Sequence, residues 1–135
     1  MKRNILLAAL SIALLVAGWL GITGLTLLVA LVPLLIISEN LSDSRHDWWR
    51  MCGYAAATFL VWNALTIWWV WIAAPIGPIT AGIVGTFYNL VAFMTYHYTA
   101  KRAHRALAYT LLVTLWIATE WAYNSADVMT FPWLL

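Results

Sequence analysis

The chain has 135 residues, 64% of them hydrophobic and only 9% charged, and a net charge of +2; its mean hydropathy is +0.85. A typical soluble domain is about half apolar and about a quarter charged, so this chain lacks the charges that a water-facing surface needs. A soluble globular domain is excluded, and the seven Lys and Arg residues are too scattered for a nucleic-acid footprint.

In a bilayer, length converts into spans of about 20 residues each, so the chain holds about four to five. The expected architecture is all-α: one transmembrane domain over 1–135, with helices at about 4–20, 22–38, 48–71, 79–98 and 106–123. These would form two hairpins plus one further helix.

Residues 4–38 carry no charge at all. That stretch is too long for one span, and three glycines (Gly18, Gly21 and Gly24) mark a break among helix formers. Pro33 is expected to kink the second arm. The two arms are short, so they are either tilted or a re-entrant hairpin, and in both cases the ends return to one face. A cleaved signal peptide would also begin with Lys2–Arg3, an apolar run and small residues at Ala17–Gly18. The apolar sequence continues straight through, however, and no A-x-A site stands there.

Residues 51–100 again contain no Asp, Glu, Lys or Arg, and Ala74–Pro75–Ile76–Gly77–Pro78 is a turn signal. Helices three and four should therefore close as a hairpin that brings Asn63 and Asn89 to similar depth. Polar groups at that depth are costly, and the expected role of this pair is structural, an interhelical hydrogen bond that fixes register. Gly82 and Gly85, with Ala81, give helix four a small-residue face.

The fifth span has an uncharged core of 106–119 and then Glu120, the one acid inside a hydrophobic segment. Its functional reading is a carboxylate that orients a polar lipid head or a catalytic loop. Its structural reading is a carboxylate in interfacial water, accepting bonds from Thr119 or a Trp indole. Residues 124–135 read as loop.

Orientation follows from the cations. With five spans, Lys2, Arg3, Arg45, Arg50, Lys101, Arg102 and Arg105 all fall on one side, which the positive-inside rule makes cytoplasmic. The C-terminus is then outside. Trp48 and Trp49 would mark the inner interface, while Trp68, Trp69, Trp71, Trp116, Trp121 and Trp133 mark the outer one, since indole rings prefer that level.

No catalytic residue is expected. Cys52, the single cysteine, excludes an internal disulfide and any multi-cysteine metal site. As a nucleophile it would need a base held by a third group, and it reads as a small apolar residue. His46, His97 and His104 lack metal-ligand spacing. There is no phosphate loop, Ser–His–Asp pattern or CxxC motif, and neither a metal nor a cofactor is expected.

Several segments, taken in order, resemble apolipoprotein N-acyltransferases. Residues 28–35 read LVALVPLL, as in that family. The stretch 61–71, with Trp62–Asn63 and Trp68–Trp69, is similar to one in Bacteroidetes-type members. Thr119–Glu120–Trp121 and then Phe131–Pro132–Trp133–Leu134 look like the family's Thr-Glu-aromatic segment and the Pro-Trp motif that follows it.

The resemblance covers nearly the whole chain. It implies a multi-pass protein of the bacterial cytoplasmic (inner) membrane, in a family that moves an acyl chain from a phospholipid to the amino-terminal cysteine of a lipoprotein. By the same resemblance, Glu120, Trp121, Phe131, Pro132 and Trp133 are the candidates for orienting lipid or substrate. The family's Glu–Lys–Cys set, in a nitrilase-like domain, has no counterpart here, so the expectation is an N-terminal membrane portion, fragment or truncated product, inactive alone. Membrane lipids are its expected partners, a lipoprotein substrate only in the full-length enzyme, and nucleic acid not at all. A non-enzymatic membrane scaffold or subunit is the alternative, and a transporter component the weaker third.

Overall fold

The computed structural model describes residues 2–21, 23–72 and 76–125, apart from the side chains of Tyr123 and Asn124. Its elements are α1 (Lys2–Trp19), a 3-10 helix (Gly24–Leu28), α2 (Val32–Asn40), α3 (Arg45–Thr66), a second 3-10 helix (Trp68–Ile72), α4 (Gly77–Arg102) and α5 (Arg105–Ser125). Among the described residues there is no strand. Two helices, α1 and α4, are long and apolar enough to cross a membrane. The chain divides into two compact units, Met1–Phe87 and Tyr88–Leu135.

In the first unit, α1 buries Asn4, Ala8, Ser11 and Leu15, positions spaced by three and four that lie on one helical stripe. Its other faces are equally apolar, with Ile5, Leu6 and Leu10 exposed. Such an all-round apolar helix is at home in lipid, where outward Leu and Ile lose nothing. The stripe packs on α3, whose own seam is Met51, Ala55, Thr58 and Trp62. Trp19 and Trp62 meet edge to face at 6.3 Å near the C-terminal ends of both helices, so α1 and α3 run parallel.

Between them the chain returns along α1. Gly21 turns it with φ 76°, in the left-handed region that favours glycine. The 3-10 helix then lies so close that a Cβ on Gly18 would stand 2.5 Å from the Leu27 side chain and 2.9 Å from Thr26 Oγ1. At its exit, buried Ser11 donates to the Ala30 carbonyl at 2.6 Å. That carbonyl lies between the 3-10 helix and α2, where no helical partner reaches it.

The expected kink at Pro33 does not occur. Proline sits in the first turn of α2, where its missing N–H has no partner to lose. The second arm is thus a 3-10 turn plus a nine-residue helix, about 14 Å long, rather than one continuous span.

The start of α3 comes earlier than Trp48 because Ser44 caps it. The Ser44 hydroxyl accepts from Asp47 N–H at 3.1 Å, and Asp47 Oδ2 reaches back to Ser42 N–H at 3.0 Å and to its hydroxyl at 2.6 Å. Arg50 completes the entry with a 2.9 Å ion pair to Asp47 Oδ1. These bonds to the ionised carboxylate, those from Ser42 foremost, hold the Asp47 pKa down to about 2.

At the other end Thr66 donates to the Trp62 and Asn63 carbonyls at 2.8 and 3.3 Å. The helix then tightens to 3-10 through the bulky run Trp68–Ile72. Trp68, Trp69 and Trp71 are exposed there.

In the second unit, α4 and α5 are joined by only Ala103 and His104. Ala103 N–H still bonds back to Thr99 O at 2.8 Å, and His104 O already accepts from Ala108 N–H at 3.2 Å. The short turn folds the helices into a hairpin, with the Tyr96 and Tyr109 rings 5.4 Å apart and Phe93 5.6 Å from Tyr96. Ala92, Phe93, Tyr96, Ala108 and Leu112 are buried.

Candidate functional site

Two polar places stand out on these apolar helices. The first is the contact of α3 with the start of α4, inside the first unit. Asn63 Nδ2 donates to Phe59 O on its own helix at 2.9 Å and across to Thr86 Oγ1 at 3.3 Å. Gly85 lets the amide come this near, since a Cβ there would be 3.3 Å from Asn63 Oδ1. A turn further on, a Cβ on Gly82 would meet Ile67 Cδ1 at 3.5 Å. Asn63 therefore makes a cross-helix bond whose partner is Thr86, one helical turn before Asn89, which belongs to the second unit. On the neighbouring face of α3, Thr58 Oγ1 and Trp62 Nε1 are buried without a hydrogen-bond partner.

The second place is the last part of α5. Glu120 is exposed, and its Oε1 accepts from the Trp116 indole N–H at 2.9 Å. Residues four apart lie on the same helical face, so the indole fixes the carboxylate without help from another element. Thr119 does not bond Glu120; its hydroxyl donates to Trp116 O at 2.9 Å. Trp121 is 72% exposed, a large ring with its faces uncovered, and Ser125 donates to its carbonyl at 2.8 Å. The arrangement offers an anchored carboxylate and, at the next position in the chain, an exposed indole, groups that suit an ammonium or hydroxyl. Phe131, Pro132 and Trp133 lie outside the described residues.

Sequence reasoning missed Ser11 and Thr86. A serine or threonine within an apolar helix ordinarily bonds back to its own helix, and only the packed partner reveals otherwise. Cys52 is half-buried and free. Among the described residues no group of His, Cys, Asp or Glu side chains comes together that could hold a metal ion.

With this geometry in view, the chain is similar to the apolipoprotein N-acyltransferase of Chlorobaculum tepidum. The two are 30% identical over 110 residues, covering 78% of this chain and 19% of that enzyme. The relationship is distant. The chain spans about a fifth of the length of the relative it matches. No family model matches the sequence, and no solved structure matches it.

Proposed function

We propose that this chain serves as the membrane-embedded helical portion of an apolipoprotein N-acyltransferase system in lipoprotein maturation, seated in the bacterial cytoplasmic membrane. The single observation that carries this is the similarity over 78% of the chain to such an enzyme. Helices α1 and α4, long and apolar enough to cross a bilayer, support the membrane placement.

In this reading the chain crosses five times, with the 3-10 helix and α2 together as the second crossing. Its N-terminus faces the cytoplasm with all seven Lys and Arg residues, and α5 ends outside. Helices of this kind would hold phospholipid beside a catalytic domain and carry no acyl transfer themselves. Glu120, braced by Trp116, and exposed Trp121 would orient a polar lipid head at the outer boundary, and Phe131, Pro132 and Trp133 are assigned to the same end.

Cysteine mapping tests the placement. In a Cys52→Ser background, a cysteine at Ser125 should react with an impermeant maleimide in intact cells, and one at Ala103 only after permeabilisation. Labelling of the Ala103 site from outside would overturn the topology. Transfer of radiolabelled acyl chains to a lipoprotein by the purified 135-residue chain would refute its accessory role.

A further inference from the structure

The second unit carries a cationic corner that the proposed function uses only to set sidedness. Its Lys and Arg residues, Lys101, Arg102 and Arg105, fall within five positions, with His104 among them. The two-residue turn between α4 and α5 gathers them at one end of a helix hairpin. Arg102, His104 and Arg105 are exposed and Lys101 is half-exposed. The Arg102 guanidinium lies over the Tyr98 ring, 4.1 Å from its centre, a cation–π contact that holds the charge at a set place.

What surrounds the corner decides the partner. Tyr98, Leu107 and Tyr109 are exposed next to it, so the cations form the rim of an apolar surface. A nucleic acid or acidic protein would meet the charges but leave that surface uncovered. A phospholipid covers both, its chains lying on the helices and its phosphate at the level of the charges. Arginine grips phosphate oxygens with two parallel N–H bonds, and polybasic segments beside membrane helices recognise anionic headgroups.

We infer that the α4–α5 corner, Tyr98, Lys101, Arg102 and Arg105, is a binding site for an anionic phospholipid headgroup. The inference rests on the membrane placement proposed above. It concerns the end of the hairpin opposite Glu120, and so a lipid other than one held there.

Reconstitution into nanodiscs of mixed phosphatidylglycerol and phosphatidylcholine, followed by native mass spectrometry of the lipid retained, tests it. The intact protein should keep phosphatidylglycerol in preference. Replacing Lys101, Arg102 and Arg105 together by Gln should lower that preference roughly tenfold or more, while the pair Lys2→Gln and Arg3→Gln should leave most of it. Unchanged preference in the triple variant, or an equal fall in the N-terminal pair, would overturn the site. A folded protein that keeps neither lipid would overturn the membrane placement along with it.

Discussion

The hydroxyl of Ser11, in the middle of α1, donates to the carbonyl of Ala30 at 2.6 Å, and both residues are completely buried. This bond joins the first helix to the point where the returning chain changes from 3-10 to α. Ser11→Ala leaves the carbonyl without a partner. In water such an orphan costs about 1–3 kcal/mol, but polar bonds between membrane helices average about 0.6 kcal/mol. We therefore expect a loss toward the lower figure, read as a reduced unfolding midpoint in detergent.

Thr58 predicts the opposite sign. Its hydroxyl is fully buried and unpartnered, so Thr58→Val removes a polar group that no bond offsets while nearly keeping the shape. Stability should be unchanged or raised by up to about 1 kcal/mol. A marked loss in the same unfolding assay would mean that the hydroxyl has a partner.

Gly85 and Asn63 form a pair in which one makes room for the other. A Cβ at Gly85 would sit 3.3 Å from Asn63 Oδ1, so Gly85→Ala should be tolerated with a small shift of the amide. Gly85→Leu should force α3 and α4 apart and cost about 1–3 kcal/mol. Disulfide trapping between cysteines placed at Ile67 and Gly82, in the Cys52→Ser background, would report the separation.

Asp47 makes the start of α3 sensitive to acid. Its folded pKa, about 2, lies below the ordinary value of 3.8, so the ionised form is favoured by folding. The contribution is complete above about pH 4 and is lost as the pH falls through about 2. Amide exchange at Asp47, bonded to Ser44 Oγ, should quicken across that window. Asp47→Asn should make it insensitive to pH there, apart from the intrinsic exchange rate.

The helical segments were legible because charges interrupt the apolar runs so sharply. Glycine clustering at Gly18–Gly24 marks the first turn, whereas α4 begins at Gly77, two residues before the start expected at about 79, because Gly77 and Pro78 form its first turn rather than part of the loop. Pro33 is ambiguous in the sequence, since proline kinks a helix interior yet begins a helix without strain, and the two cases differ only in where the helix starts. The cap at Ser44 has its signal in Ser44-x-x-Asp47, a polar pattern that hydropathy does not register. The Glu120–Trp116 bond was foreseeable, because it joins residues four apart on one helix. Thr86 as the partner of Asn63 was not, because register between two helices depends on where small residues permit approach. Phe131, Pro132 and Trp133, on which part of the family resemblance rests, lie beyond the described residues.

The 26 residues of α4 make a rod about 39 Å long, while a bilayer's hydrocarbon layer is about 30 Å thick. On the crossing proposed above, the difference, about six residues of helix, would lean, thicken the lipid around it or stand clear as an overhang. Arg102 over Tyr98, at the polar tip, would favour the last of these, with the final turn lifted into the headgroup layer. Shortening α4 there by one turn would draw that tip toward the oil, where its charges are least welcome.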